Sequence, residues 1–259
     1  MAKLLIAVAT HNRPLITELS LSMLNQIKGP EDTLIVYDDG STAYGEKWLK
    51  RMADEVIRMP VSGGIERLRA RNFKDFATVF REYDFLYTTD NDAVHDPAFS
   101  LMLRGLYNRY TYGNQKLPVC LYHSTFHSHQ DNVKWSNDEV SLRLTAPGIS
   151  QMYDREMAEV IVTGLRARPE LESRYGYDYH FPLMLKRPFI QSNVSYLEHF
   201  ARDRYEGGIH AANSGTGAEA LKDFERDRAI RPTAHLEALR PVIINYILNG
   251  VPSEMETEQ

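Results

Sequence analysis

What this 259-residue chain has little of narrows its reading before anything it contains. It holds one cysteine, Cys120, so no disulfide can close within it, and a reducing, cytoplasm-like compartment is the expected location. No apolar run approaches the roughly 18 residues that a membrane-spanning helix needs. The first apolar run, residues 4–9, breaks at once on Thr10-His11-Asn12-Arg13-Pro14, so neither a signal segment nor an integral membrane segment is expected. There is no basic excess either: 30 Lys and Arg against 35 Asp and Glu leave a net charge of −5, so the global field of a nonspecific nucleic-acid binder is missing and any phosphate site must be built locally. Internal repeats and low-complexity segments are absent. What remains, 43% hydrophobic and 25% charged residues, is the composition of a globular chain with enough length to bury a sizeable core.

The first hundred residues alternate short apolar runs with helical periodicity. Residues 4–9, 33–37, 55–59 and 85–89 read as strands; residues 14–26, 43–53 and 65–81 read as helices, the first opening on Pro14, a residue favoured in a first turn. That order predicts an α/β fold, a mostly parallel sheet flanked by helices. Ligands of such sheets lie outside the carboxyl ends of the strands. Three segments therefore share one address: Thr10-His11-Asn12-Arg13, Asp38-Asp39-Gly40-Ser41-Thr42 and Asp90-Asn91-Asp92. In the last of these, alternate residues of an extended chain point to one side, so Asp90 and Asp92 can aim at a single cation. Hard divalent ions take oxygen ligands and often share substrate phosphates, which points to a phosphate-bearing substrate.

Beyond Pro97 the pattern predicts a helix over 98–112, a strand over 117–123, an irregular polar stretch over 124–141 and a strand over 142–146 that ends at Pro147-Gly148. Helices follow over 153–166 and 177–186. After His199 the composition turns Arg-, Asp- and Glu-rich, with a glycine-dense piece at 207–217, helices over 218–229 and 234–248, the latter kinked or split at Pro241, and an acidic tail, 253–259, expected to be disordered.

Four pieces occur together and in order: Ala7-Val8-Ala9-Thr10-His11-Asn12-Arg13-Pro14; Val36-Tyr37-Asp38-Asp39-Gly40-Ser41-Thr42; Gly63-Gly64 with Arg67-Leu68-Arg69-Ala70-Arg71-Asn72; and Thr89-Asp90-Asn91-Asp92. With them the chain resembles the family 2 glycosyltransferases and their relatives of the GT-A fold, over roughly residues 3–100. The resemblance implies a GT-A domain over 1–200, with a nucleotide-binding half (1–97) and an acceptor half (98–200), and a helical extension over 201–252. It implies transfer of a sugar from a nucleoside-diphosphate sugar, a UDP-sugar first of all, to an acceptor hydroxyl with inversion.

By the same resemblance Thr10, Asn12, Arg13 and Asp39 surround the nucleoside, a carboxylate such as Asp39 being able to accept a pyrimidine N–H. Arg71, and one turn earlier Arg67, lie beside the diphosphate, which arginine binds bidentately near a helix start. Asp90 and Asp92 form an Asp-X-Asp motif for Mn²⁺ or Mg²⁺, with Asp90 also on the donor side and His199 as the third ligand. Asp178 is the base that takes the acceptor's proton. The family usually shows two adjacent acids there, and Tyr177 stands in the first place.

Plainer readings exist for each motif: a turn and helix cap for 38–41, a solvated basic face for Arg67, Arg69 and Arg71, a satisfied strand histidine for His199, a helix N-cap for Asp178. His123, His127 and His129 have zinc-like spacing but fit better in a loop beside an acceptor cleft. Trp48 reads as helix packing, Trp135 as a surface for stacking a sugar or base, and residues 207–217 as a lid or a connector. A sugar-1-phosphate nucleotidyltransferase would need glycines after its first strand, where residues 10–14 have none. A retaining enzyme acting on a small molecule or modified base, or a nucleotide-sugar or nucleic-acid binder that has lost catalysis, are the other readings. The acceptor itself, whether glycan, protein, small molecule or modified nucleic acid, is not written in the sequence. Arg202, Arg204, Arg226, Arg228 and Arg231 form a local basic cluster among acidic neighbours Asp203, Glu225 and Asp227.

Overall fold

The computed structural model describes residues 2–124, 133–199, 224–225 and 228–249. The chain opens with β1 (Leu4–Thr10), buried along its whole length, then α1 (Pro14–Ile27), β2 (Thr33–Asp38), the single turn α2 (Glu46–Leu49), β3 (Glu55–Arg58), α3 (Ile65–Thr78) and β4 (Phe85–Asp90). A continuous apolar run such as Leu4-Leu5-Ile6-Ala7-Val8-Ala9 suits a central strand covered on both faces. β1 accordingly lies between β2 and β4, parallel to both, and β3 adds parallel outside β2. The register sets Thr10 beside Asp38 and Ala9 beside Asp90, which brings three strand ends to one level.

The second half is mixed in direction. It comprises β5 (Ala93–His95), α4 (Phe99–Arg109), β6 (Thr111–Tyr112), β7 (Gln115–Lys116), β8 (Val119–Cys120), β9 (Val133–Ser136), β10 (Val140–Arg143), β11 (Ser150–Asp154), α5 (Arg155–Ala167), α6 (Tyr177–Leu185), β12 (Phe189–Ser192), β13 (Leu197–His199) and α7 (Ala234–Asn249). Among the described residues the main sheet has nine strands in the order β3-β2-β1-β4-β11-β8-β12-β10-β9. β11 runs antiparallel to β4 and β13 pairs antiparallel with β5, so the chain returns to the strand ends from the far half.

Several expectations change. The helix over 43–53 shrinks to α2, because the chain must turn back at once to enter β3, and Asp54 holds that return with Oδ2 accepting from Leu34 N at 2.7 Å. The strand over 117–123 is only β8; past it, side chains replace the ladder, Ser150 Oγ accepting from Leu121 N at 3.2 Å. The polar stretch 124–141 contains the edge strand β9, and the strand expected over 142–146 starts two residues earlier as β10. β11 and β12 were not foreseen. α7 continues through Pro241 as one helix rather than splitting. The lid candidate 207–217, the tail 253–259, His127, His129, Arg202, Arg204 and Arg226, and most of the helix expected over 218–229 fall outside the described residues.

The core lies between the sheet and α3, α5 and α6. Phe73 of α3 meets Tyr153 edge-on at 4.9 Å and Phe181 of α6 at 5.9 Å. A smaller apolar cluster, Ile16, Val94, Phe224, Leu236 and Ile243, fastens α7 to α1 and β5. β5 itself is anchored by His95, 2% exposed, whose Nε2 lies 3.0 Å from the Tyr87 hydroxyl. Burial pushes its imidazole down to about 3, so the folded chain keeps His95 neutral while the unfolded chain protonates near 6.5. The stabilisation is thus complete above about pH 6.5 and lost progressively as pH falls toward about 3. Urea denaturation between pH 7 and 4 should show this loss, and His95→Gln should flatten it; an unchanged slope in that variant would assign the acid sensitivity to other groups.

Candidate active site

Side chains from the first two loops lock the carboxyl edge of the sheet together. Thr10 Oγ1 meets the hydroxyls of Thr17 at 3.0 Å and Tyr44 at 2.5 Å and accepts from Asn91 Nδ2 at 3.1 Å. Asn12, in the left-handed region at φ 46°, uses Oδ1 to accept from Thr42 N at 2.6 Å and Ala43 N at 3.0 Å. Asn is one of the few non-glycine residues that adopts this conformation readily. Asp39, 5% exposed, accepts from Gly63 N at 2.8 Å, Gly64 N at 2.9 Å and Ser62 Oγ at 2.6 Å, which pins residues 62–64 directly before α3. Gly40 sits under that loop at φ +67°, where a Cβ would stand 2.7 Å from Ser62 N.

The two motif carboxylates have different partners. Asp90 is paired with Arg69, a fully buried guanidinium that also donates to Thr89 O at 2.7 Å and Ala7 O at 3.3 Å. Burial raises the Asp90 carboxyl above its ordinary range, with Arg69 opposing and Asp92 adding to the rise. Asp92, 6% exposed, accepts from Arg13 Nη1 at 2.9 Å, and His199 Nε2 lies 3.3 Å from the same oxygen. Burial alone would raise Asp92, but His199 and Arg13 outweigh it and hold the carboxylate ionised well below the usual range. Its other oxygen, Oδ1, is buried with no hydrogen-bond partner among the described residues. Buried carboxylate oxygens are rarely left so, and an unfilled acceptor beside an imidazole and a second carboxylate suits a divalent cation. Among the described residues, no three Asp, Glu, His or Cys side chains are already gathered as a cage.

Asp178 reaches the same place from the far half. It is the second residue of α6, whose N-cap is Gly176, so it is not itself the cap. Burial raises its carboxyl, and the Asp90 charge raises it further. Tyr177 packs edge-on against Phe181 at 6.2 Å, and the Arg69 guanidinium stands 5.6 Å from its ring centre. Burial keeps its phenol protonated, with the Asp90 charge acting in the same direction. Both residues depend on Gly148, since a Cβ there would lie 2.3 Å from the Tyr177 hydroxyl and 3.1 Å from Asp178 Cβ.

Arg13, Asp92 and His199 are thus in direct contact, Asp90 stands close enough to Asp92 and Asp178 for their charges to interact, and Thr10, Asn12 and Asp39 form the neighbouring loops. Arg71 is not part of this group: half of its side chain is exposed, and Nε donates to Asp75 at 2.6 Å. Arg67 is exposed at the first turn of α3, with its stem against Gly63. The arginine that reaches the strand ends is Arg69. Its position was legible in one respect: Arg69, Asn72, Phe73 and Phe76 recur at helical spacing on the buried face, so a charge there had to be paired inside. Gly148 carried no sequence signal beyond its turn. Trp135, 47% exposed on β9, pairs across from Leu142.

No protein-family model and no characterised protein sequence matches this chain. Solved structures do. The crystal structure of residues 1–349 of S. aureus TarS superposes with a TM-score of 0.53 at 15% identity, covering 75% of this chain and 59% of that one, so this chain spans less than two thirds of that neighbour. The S. aureus TarS structure in complex with UDP-GlcNAc gives 0.56 at 15% identity, covering 98% of this chain and 77% of that one. At such identity the likeness shows the fold alone, a mixed α/β architecture of the GT-A type. Among the described residues, no helix is long and apolar enough to cross a membrane.

The Gly148 contact gives a direct check on the geometry. Gly148→Ala should displace Tyr177 and cost about 1–3 kcal/mol in urea denaturation, the usual penalty for overpacking. Combining it with Tyr177→Ala should recover part of that loss, and additive losses in the double variant would contradict the contact.

Proposed function

We propose that this chain is a nucleotide-sugar-dependent glycosyltransferase, with its donor at the carboxyl edge of β1, β2 and β4. The observation that supports this most is Asp92: a buried carboxylate held ionised at a strand end, with one oxygen lacking a hydrogen-bond partner among the described residues and His199 beside the other. A UDP-sugar is the favoured donor, by analogy with the neighbour whose structure contains UDP-GlcNAc. Asp90, Asp92 and His199 would hold Mn²⁺ or Mg²⁺, which when bound supplies Lewis-acid neutralisation of the departing diphosphate.

The chain's own residues account for the rest. Asp39 holds residues 62–64 so that the start of α3 faces the donor cleft, where free N–H groups and the helix dipole favour phosphate. Arg67, which makes no ion pair with a described residue, stands at that same turn. Arg13 keeps Asp92 ionised and adds positive charge at the leaving-group side. In transfer with inversion, the acceptor oxygen attacks the anomeric carbon, the bond from that carbon to the diphosphate oxygen breaks, and the acceptor proton passes to Asp178. Its raised carboxyl makes it a better proton acceptor than an ordinary surface aspartate, at the cost of requiring a higher pH to be ionised.

Asp178→Asn should lower kcat by about 10²- to 10⁴-fold, the usual share of a general base, with little change in the donor KM. For the unmodified chain, kcat/KM should fall on the acid side with a midpoint above the ordinary aspartate value of 3.8. Asp92→Ala should abolish metal-dependent turnover of UDP-GlcNAc while circular dichroism shows an intact fold; turnover at the unmodified rate would sink the donor-site assignment.

A further inference from the structure

A cavity of about 400 Å³ lies in the acceptor half, outside the residues assigned to the donor, and its wall includes His123, Ser136, Ser141, Arg143, Asn193 and Arg231. Segments distant in sequence build it, three of them supplying most of the wall. On β10, Ser141 and Arg143 are two residues apart and so share a face. Ser141 stands opposite Ser136 of β9, which brings that hydroxyl to the same side. The third segment, residues 228–231, is fastened by a buried serine. Ser195 N donates to Arg231 O at 3.1 Å, Ser195 Oγ accepts from His123 N at 3.0 Å and donates to His123 O at 2.8 Å, and Ile230 N donates to His123 O at 2.6 Å. These bonds hold Arg231 in the left-handed region at φ 47°, a conformation few arginines adopt without such constraint.

The chemistry of the wall is that of an oxyanion site. Arg143 is a guanidinium only 5% exposed, and Arg231 makes no ion pair with a described residue. Both lie close enough to His123 to lower its pKa further, after burial as the main cause. Serine hydroxyls and the Asn193 amide add neutral donors; among the described residues Asp138 is the one carboxylate on the wall. Guanidinium groups bind carboxylate and phosphate oxygens with paired, charge-assisted hydrogen bonds, and a volume of this size admits such a group with part of a sugar. The segment that supplies His123 also reaches the donor side: the Tyr122 ring, one residue before His123, meets the His199 ring edge-on at 6.4 Å.

We propose that this cavity is an acceptor subsite that binds an oxyanion, a phosphate or carboxylate group carried by the acceptor. Its role as an acceptor subsite rests on the glycosyltransferase reading above; anion binding by the cavity does not. The experiment titrates inorganic phosphate, glucuronate and UDP calorimetrically into the unmodified chain and two variants. Arg231→Asn removes the charge while keeping a residue that tolerates positive φ. Ser136→Glu adds a carboxylate from an exposed edge strand without disturbing buried contacts. Phosphate or glucuronate should bind the unmodified chain saturably and each variant roughly tenfold more weakly, the loss expected for one charge-assisted bond. UDP affinity should stay the same in all three. Equal anion binding in the three proteins, or none in the unmodified chain, overturns the proposal. Displacement of the anion by UDP overturns it too, since the anion then sits in the donor site. UDP failing to bind while the anion still depends on Arg231 contradicts the donor reading and, with it, the acceptor role.

Discussion

Arg69 is the residue around which the carboxyl edge is organised. A guanidinium with no exposure must find partners for its charge and its donors inside the protein, because an unpaired buried charge costs several kcal/mol. Its two Nη groups find them in the Asp90 carboxylate and in the carbonyls of Ala7 and Thr89, one on each of two adjacent strands, while Nε has no hydrogen-bond partner among the described residues. That single group therefore ties α3 to the ends of β1 and β4 and fixes Asp90, the first acid of the Asp-X-Asp motif. Asp92, two residues on, is left to Arg13 and His199. The division of labour follows from burial: one carboxylate is held by the fold, and the other keeps an oxygen in reserve.

The same economy runs through the neighbouring loops. Asp39 and Asn12 use their side-chain oxygens on backbone N–H groups of other loops, so the wall of the cleft is stiff before any ligand arrives. Preorganisation of this kind lowers the ordering cost of binding. On the far side, Phe73, Phe181 and Tyr177 form an aromatic chain from α3 into α6, and Gly148 leaves the space that lets Tyr177 and Asp178 approach Asp90. In the place where the sequence resemblance implies an acid, this chain has a neutral phenol beside a guanidinium. Asp178 is therefore the carboxylate of that pair of positions.

The first four strands could be read from the sequence to within a residue or so, because continuous apolar runs bounded by polar loops are a strong strand signal. Asp92 and His199, named from motifs over a hundred residues apart, lie 3.3 Å from each other. The acceptor half was less legible for a physical reason. β8, β9 and β10 are two to four residues long, and their neighbours are satisfied by side chains such as Ser150, Gln191 and Ser195 rather than by a repeating ladder. β11 carries Gln151 between Ser150 and Met152, and its buried amide donates to Ala146 O, a partner no local pattern announces. Arg69 went unassigned because a helical arginine is ordinarily solvated, and only its alignment with Phe73 and Phe76 marks it as internal.

On the proposed function, a nucleoside diphosphate binds between the 62–64 loop, Asp92 and His199. A crystal structure of the chain soaked with UDP and Mn²⁺ tests it most directly. The expected result is a metal ion on Asp92 Oδ1 with His199 in its shell and the diphosphate directed at the start of α3. Nucleotide bound elsewhere, or Asp92 still paired only with Arg13 and His199 in the presence of bound UDP and metal, would contradict it.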